Sequence, residues 1–174
     1  ANAGYSVDLI EREDHLGGFC LDEYKLIPSK APFKEPEINS VSQIVSEVAK
    51  NELVTVHASS FVVSISGQPG EFKVKMNQEG KLKELFSGSV IMATGSNPYD
   101  AGKLVHLGIN HENVVSSAEF EQMAKSGNIV RKDGKPALNI GFIQCAGSRT
   151  PDHLSYCSGT CCMDSLKQAA YVRE

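Results

Sequence analysis

Alternating apolar and polar positions divide the first half of the chain into short strands around one amphipathic helix. β-branched apolar runs predict buried strands over residues 6–11 and 53–57. Between them, apolar residues at helical spacing predict a helix over 41–50, opened by a capping box at 40–43. The proline-containing stretch 19–36 is expected to be a long ordered loop.

Three further runs are separated by turns that contain glycine, which is typical of an antiparallel meander over residues 60–86. An apolar strand over 89–93 is then expected, and it stops sharply at 94–98. We expect the strand 6–11, the helix 41–50 and the strand 89–93 to form one parallel layer, with the meander packed to its side.

The last third of the chain repeats the alternation of helix and strand. A second capping box at 116–119 predicts a helix that ends by Gly127, and a buried strand is expected over 137–143. A loop rich in Cys, Gly and Ser leads into a final helix from about Met163 to the end. The pattern indicates an α/β protein with a first domain over 1–135 and the start of a second over 136–174.

Composition excludes several classes of function. The 174 residues are 41% hydrophobic with a net charge of −4, and no Lys/Arg cluster is longer than two residues. Such a surface offers no electrostatic footprint for nucleic acid or an anionic membrane. No apolar run approaches the ~20 residues of a membrane helix, so no direct membrane insertion is expected. Five cysteines without secretory features indicate a reducing compartment, with the cytoplasm as the expected location.

Four of the five cysteines lie close together in sequence. Cys145, Cys157, Cys161 and Cys162 form a C-x11-C-x3-C-C pattern. Four thiolates suit a tetrahedral zinc ion or a four-iron cluster with one thiolate for each iron. The spacing is not that of the common zinc or ferredoxin motifs. Scattered buried thiols or a disulfide are the alternatives, although adjacent Cα atoms lie only about 3.8 Å apart, below the usual disulfide range.

Other polar residues near these cysteines admit two interpretations. His153 could substitute as a ligand, and Arg149 and Lys167 could compensate the thiolate charge, but each is also compatible with a solvated side chain. Cys20 lies apart from the pattern, and an isolated cysteine is usually a small buried hydrophobe. No side chain is predicted to act as a general acid or base, so no catalytic residue is assigned.

A second candidate site lies near the start of the chain. A strand that ends in Glu11 and is followed by Gly17 and Gly18 is typical of the second strand of a dinucleotide-binding unit, where the carboxylate binds a ribose diol. The turn Ala93-Thr94-Gly95 ends a predicted strand, and its glycine permits close approach of a cofactor. Taken singly, each is also compatible with an ordinary strand end.

With these residues in view, the chain resembles the A-type subunits of heterodisulfide reductase and the related flavoprotein subunits of the quinone-interacting membrane-bound oxidoreductase complex. The most specific segments are 70–75, 90–100, 113–115, 140–149, 156–163 and 167–169. The resemblance implies a Rossmann-like, two-dinucleotide-domain flavoprotein fold. It also implies FAD at Glu11, Gly17, Gly18 and the turn 93–95, and a [4Fe-4S] cluster on the four cysteines.

The chain departs from that family in two respects. Residues 76–89 run straight through the meander, where many of the A-type subunits insert a ferredoxin-like domain, so the quinone-interacting type is the closer likeness. The sequence begins after the position of the phosphate-binding glycines and stops in the first helix of the second dinucleotide domain. It is therefore interpreted as a fragment that does not hold FAD tightly on its own.

The resemblance implies an electron-transfer oxidoreductase subunit that relays electrons between flavin and cluster to other subunits of a redox complex. Such a protein is expected in the cytoplasm, with membrane association only through partner subunits. Two alternatives remain open. One is a flavin-linked thiol–disulfide oxidoreductase, and the other is a zinc-stabilised binding module without redox function.

Overall fold

The computed structural model describes residues 1–173 and divides the chain into two compact units. Unit 1 contains Ala1–Leu21 and Ser40–Ser96, and unit 2 contains Asp22–Asn39 and the described residues from Asn97 onward. The predicted domains, 1–135 and 136–174, stay a prediction, and Glu174 at the end of the second lies outside the described residues.

The secondary structure mixes short strands with three α-helices in residues 1–173. The strands are β1 Val7–Ile10, β2 Lys25–Leu26, β3 Glu37–Ile38, β4 Val54–His57, β5 Ser60–Ser66, β6 Phe72–Gln78 and β7 Lys81–Ser87. The helices are α1 Val41–Lys50, α2 Ser117–Lys125 and α3 Cys161–Tyr171. Single 3-10 turns occur at Gly18–Leu21, Ala101–Lys103 and Val105–Leu107. No helix in this part of the chain has the length and apolarity needed to cross a membrane.

In unit 1, β1 and β4 form a parallel ladder, and α1 lies between them in the sequence. The ladder is reinforced by a hydrogen bond of 2.8 Å between His57 Nε2 and Asp8 Oδ1. The strand 6–11, the helix 41–50 and the strand 53–57 were all predicted. The result is a β-α-β arrangement with Glu11 directly after the carboxyl end of β1.

The capping box predicted at the start of α1 is wrong. Ser40 has φ −93° and ψ 10°, and its side chain makes no cap hydrogen bond. An N-cap serine normally has extended backbone angles that aim its oxygen at the first turn. Gln43 instead donates to Glu47 Oε1 at 2.8 Å, one turn further along the helix.

The predicted meander is confirmed. β5, β6 and β7 form an antiparallel sheet in sequence order, with an irregularity between Val62 and Ser64. Val74 and Met76 of β6 are buried. Because Val62 pairs with Met76 and Leu85 pairs with Val74, these side chains share one face of the sheet.

The predicted strand over 89–93 is wrong. These residues pair with no other described strand, and Ile91 and Met92 are 87% and 71% exposed. A strand requires a partner for its backbone groups, and β1 and β4 pair only with each other among the described residues. The expected parallel layer therefore lacks its third member.

Unit 2 is built around two helices. α2 begins with the predicted capping box, in which Ser116 Oγ accepts from the Glu119 N–H at 3.2 Å and Glu119 Oε2 accepts from the Ser116 N–H at 2.7 Å. Phe120 and Ala124 of α2 pack with Tyr171 of α3 to form the core. α3 begins at Cys161, two residues before the predicted start at Met163.

The predicted buried strand over 137–143 is also wrong. The segment has no strand partner among the described residues, and Leu138 is 87% exposed. Ile140 and Phe142 nevertheless pack against the helical core, with the Phe142 ring edge-on to Phe120 at a centroid distance of 5.8 Å. The apolar pattern therefore reflects packing on helices rather than membership of a sheet.

A buried charged network joins the helices of unit 2 to the segment Asp22–Asn39. The Lys167 ammonium on α3 pairs with Glu23, with Glu121 Oε1 at 3.2 Å and with Asp164 Oδ1 at 3.8 Å. The side chains of Lys167 and Glu121 are only 2% and 3% exposed. Burial by itself lowers the pKa of Lys167, but the hydrogen bonds and charges of Glu23 and Glu121 outweigh burial and raise it.

The other polar atoms of this network also have hydrogen-bond partners. Glu121 Oε2 accepts from the Tyr24 N–H at 3.0 Å and from the Tyr171 hydroxyl at 3.3 Å, while Oε1 accepts from Gln168 at 2.9 Å. Burial, followed by the charge of Glu121, raises the pKa of the Tyr171 phenol. Because its polar atoms have hydrogen-bond partners, this buried network can hold α2, α3 and the segment Asp22–Asn39 in one arrangement.

We predict that Lys167→Met destabilises unit 2 strongly. Removing the ammonium leaves Glu121 and Glu23 without their cation, and breaking a buried ion pair on one side costs about 3–5 kcal/mol. The free energy of unfolding from urea titration, with amide hydrogen exchange in α3, measures the loss. Lys132→Met is the control, because Lys132 is exposed. Equal losses in the two variants would contradict the prediction.

Candidate metal centre

The four cysteines of the C-x11-C-x3-C-C pattern all lie on or beside the amino end of α3 and the loop that precedes it. Cys161 and Cys162 are the first two residues of α3. Cys145 lies in a turn with φ 57°, and Cys157 is exposed on the loop before the helix. The prediction that Cys161 and Cys162 lie at a helix start is confirmed, but Cys145 does not end a strand.

The loop 145–157 folds back on itself. The Ser148 N–H donates to the Cys145 carbonyl at 3.1 Å, the Leu154 N–H to Gly147 at 3.1 Å, and the Arg149 N–H to Tyr156 at 3.2 Å. These bonds draw the two ends of the loop together. Cys145 lies at the start of this folded loop and Cys157 at its end, eleven residues apart in sequence.

Tyr99 fixes this loop from outside. Its hydroxyl lies 2.7 Å from His153 Nδ1, and its ring lies so close to Gly147 that a Cβ there would be 2.5 Å from the ring. His153 also stacks on His106 at a centroid distance of 5.6 Å. One nitrogen of His153 is thus occupied by Tyr99, so the structure gives His153 a role in holding the loop.

The pKa values of two thiols, Cys161 and Cys162, are shifted by the neighbouring cysteines. A hydrogen bond from the backbone of Cys145, with smaller contributions from Ser158 and Cys162, lowers the pKa of Cys161. The charge of Cys161, together with burial and the charges of Cys145 and Cys157, raises the pKa of Cys162. Cys145, Cys157 and Cys161 therefore all lie within electrostatic reach of Cys162.

Hydrogen bonds from the chain also reach the sulfurs. The Gly159 N–H donates to Cys157 Sγ at 3.4 Å, and Arg149 Nη1 lies 3.9 Å from Cys145 Sγ. The start of α3 adds the positive end of a helix dipole at Cys161 and Cys162, which favours thiolate. Lys167, the other candidate counter-charge, instead pairs with carboxylates.

Four thiols are a donor set that both a zinc ion and a four-iron cluster use. Within residues 1–173, no three His, Cys, Asp or Glu side chains are positioned to hold a single metal ion. Tetrahedral zinc requires four sulfurs about 2.3 Å from one centre, whereas a four-iron cluster takes one thiolate on each iron atom. The four thiols match a four-iron cluster in number and chemistry, and zinc competes for the same donors.

The predicted flavin-facing residues lie in unit 1. Glu11 follows β1 directly, and its Oε1 accepts the Glu13 N–H at 2.9 Å. Gly17 has φ 110°, and a Cβ there would lie 2.7 Å from Leu21 Cγ, while Gly18 has φ 49° with open space around it. A carboxylate at the carboxyl end of a parallel strand is where a dinucleotide ribose binds.

The turn Ala93-Thr94-Gly95 makes no hydrogen bond with Glu11 among the described residues. All three residues are exposed and belong to no strand, and Gly95 has φ 63° with nothing near its missing side chain. Glu11 has the position at a parallel strand end that ribose binding requires, whereas the turn 93–95 lies outside any strand.

Sequence reasoning missed Tyr99 and His106, which support the cysteine loop. Tyr99 lies within a segment, 90–100, that carries part of the family resemblance, and this was the signal that could have found it. Its contacts with Gly147 and His153 are about fifty residues away in sequence, so no local pattern reveals them.

Comparison with known proteins identifies the kind of protein this chain resembles. No family model matches the sequence. One A-type iron–sulfur subunit of CoB–CoM heterodisulfide reductase from Methanopyrus kandleri is 36% identical over 112 residues, covering 58% of this chain and 17% of that protein. The A-type subunit of the H2:CoB–CoM heterodisulfide, ferredoxin reductase from Methanothermobacter thermautotrophicus is 33% identical over 109 residues, covering 58% and 16%.

A third relative aligns with the whole chain. The A-type subunit of the ferredoxin/F420H2-dependent CoB–CoM heterodisulfide reductase from Methanosarcina acetivorans is 21% identical over 259 positions, covering 100% of this chain and 32% of that protein. The alignment is longer than this chain of 174 residues, so the relative contains residues without a counterpart here. A solved structure, L-proline dehydrogenase from P. horikoshii, covers 52% of this chain and 18% of that one, with 25% identity and a TM-score of 0.38.

The relatives are named as subunits of oxidoreductases. The chain is similar to several A-type subunits of heterodisulfide reductase, and the resemblance predicted from the sequence is confirmed. It spans about a sixth of the length of the first two relatives, at 17% and 16%.

We predict that Gly147→Ala disturbs the cysteine loop more than a matched glycine change elsewhere in unit 2. Gly147 and Gly134 have φ 76° and 78°, but only Gly147 lies against another side chain. Both variants should lose about 1–2 kcal/mol of stability through left-handed backbone strain. Gly147→Ala should lose more, because Tyr99 must move, and should expose Cys145 to faster alkylation.

Urea unfolding and mass-spectrometric mapping of alkylated cysteines measure both effects. Identical stabilities and identical Cys145 alkylation rates in the Gly147→Ala and Gly134→Ala variants would show that the contact with Tyr99 does not support the loop.

Proposed function

We propose that the protein is an FAD- and iron–sulfur-dependent electron-transfer subunit of a heterodisulfide reductase-like complex. The observation that carries the proposal is the gathering of Cys145, Cys157, Cys161 and Cys162 at the amino end of α3. The names of the relatives, one of which is an iron–sulfur subunit, support the same class.

The four cysteines would hold a [4Fe-4S] cluster, one thiolate to each iron. Bound there, the cluster would supply one-electron transfer, which matches a flavin that handles one or two electrons. The chain itself contributes placement and charge. The start of α3 and the Gly159 N–H stabilise thiolates, and Tyr99 holds the loop that carries Cys145 and Cys157.

FAD would lie at the carboxyl end of β1, in a Rossmann-like, two-dinucleotide-domain fold of which β1, α1 and β4 are one part. Glu11 would accept hydrogen bonds from the ribose hydroxyls, and Gly17 and Gly18 would let the backbone approach the cofactor. The turn 93–95 belongs to the proposed FAD site through the sequence resemblance, and its Gly95 would let the backbone approach the cofactor.

The partners in this proposal are other subunits of a redox complex, without nucleic acid. The proposed location is the cytoplasm, with membrane attachment only through a partner. A thiol–disulfide oxidoreductase receives less support, because Cys161 and Cys162 are adjacent and residues 1–173 contain no relaxed C-x-x-C pair. Zinc is the remaining competitor for the four thiols, and the composition of the bound metal decides between them.

We predict that full-length protein prepared without oxygen is brown and contains iron and acid-labile sulfide in equal amounts. Cys157→Ser and Cys161→Ser should each lose most of this iron, because one iron atom loses its thiolate. Cys20→Ser, which changes a cysteine in unit 1, should retain it. Iron and sulfide analysis makes the measurement.

Unchanged iron in both Cys157→Ser and Cys161→Ser would remove these cysteines from the site. A colourless protein with stoichiometric zinc would instead establish the zinc-stabilised module.

We predict that Glu11→Ala weakens FAD binding by full-length protein. Each charge-assisted hydrogen bond lost to the ribose should cost about 1.5–3 kcal/mol. Glu13→Ala is the matched control. It removes a carboxylate from the same turn but keeps the backbone N–H of residue 13, which donates a hydrogen bond to Glu11 Oε1. Flavin fluorescence titration gives the dissociation constants, and equal affinities for the two variants would remove Glu11 from the FAD site.

A further inference from the structure

We propose that Arg149 is a positioning residue of the cysteine site, which fixes Cys145 and raises the reduction potential of the cluster held there. This inference rests on the proposed function. Arg149 and Lys167 were both candidates from the sequence to compensate the thiolate charge, and only Arg149 lies beside a sulfur.

The guanidinium of Arg149 contacts the sulfur of Cys145. Arg149 Nη1 lies 3.9 Å from Cys145 Sγ, within reach of a hydrogen bond to sulfur. The guanidinium stays charged at every relevant pH and presents several N–H donors in a fixed plane. It can therefore compensate a thiolate at Cys145 without gaining or losing a proton.

The second observation is the backbone that makes the contact. Cys145 and Arg149 have φ 57° and 59°, and neither residue type favours the left-handed region. Backbone bonds from Ser148 to Cys145 and from Arg149 to Tyr156 hold these angles. Costly angles of this kind persist where the surrounding structure enforces them, and they concentrate at functional sites.

The third observation is the absence of a competing partner. Among residues 1–173, none of the ion pairs involves Arg149, whereas Lys167 is surrounded by Glu23, Glu121 and Asp164. The charge of Lys167 is neutralised within its own network. The charge of Arg149 remains directed to the sulfur.

The charge of Arg149 would affect the reduction potential of a cluster bound to Cys145. Four thiolates concentrate negative charge, and one added electron increases it. A fixed positive charge beside Cys145 stabilises the reduced form more than the oxidised form, and solvent reduces the effect because Arg149 is exposed. We expect removal of the charge to change the ratio of reduced to oxidised cluster about threefold at a fixed potential, or about 28 mV for one electron.

The test uses anaerobic full-length protein titrated with dithionite and followed by electron paramagnetic resonance. Arg149→Gln should lower the midpoint potential by about this amount, and Arg149→Lys should restore part of it, because the charge is kept and the planar fork is lost. Arg131→Gln is the matched control, since Arg131 pairs with Asp133 at 3.2 Å, and it should leave the potential unchanged. Equal potentials in all four proteins would overturn the inference.

A second measurement does not need the cluster. In metal-free full-length protein, the rate at which iodoacetamide alkylates Cys145, relative to Cys162, should change several-fold when Arg149 is replaced by Gln, because the guanidinium no longer lies against the sulfur. If the Arg149→Gln variant binds no cluster, the inference is tested by the alkylation ratio and by the midpoint potential of Arg149→Lys. An unchanged alkylation ratio would show that Arg149 does not contact Cys145. A wild-type protein without iron and sulfide would instead contradict the proposed function, whatever the alkylation ratio.

Discussion

The buried ammonium of Lys167 is the constraint on which unit 2 depends. It satisfies Glu23 and Glu121 at once, and it therefore ties α3 both to α2 and to the segment that precedes α1 in sequence. Burial raises the pKa of Glu23 despite the bond to Lys167, which shows how much desolvation the network must offset. Because α3 is held by this network at its middle, its first turn, with Cys161 and Cys162, has a fixed position.

The other two thiols depend on a different support. The loop 145–157 closes on itself through backbone bonds, and Tyr99 packs on Gly147 while its hydroxyl meets His153. Helix and loop thus bring their cysteines together by separate means. One uses buried charge and the other uses close packing against a glycine, and neither means involves the sulfurs themselves. The four cysteines can therefore keep their positions without a bound group.

Local signals in the sequence predicted the elements that local interactions form. The capping box at Ser116 and Glu119, the meander and α1 all follow from spacing and turn residues. The strands expected over 89–93 and 137–143 failed, because strand formation depends on a partner that apolar character cannot specify. Phe142 and Ile140 pack on helices instead. Lys167 likewise gave no local sign of burial, since its carboxylate partners lie up to 144 residues away.

The proposed function depends above all on one iron–sulfur centre held by four cysteines gathered around the start of α3. Anomalous diffraction at the iron edge, from crystals of full-length protein grown without oxygen, tests this most directly. We expect one compact iron signal bonded to the sulfurs of Cys145, Cys157, Cys161 and Cys162, with the Arg149 guanidinium beside Cys145. Iron bonded to other residues, with any of these four thiols turned away from it, would contradict the proposal.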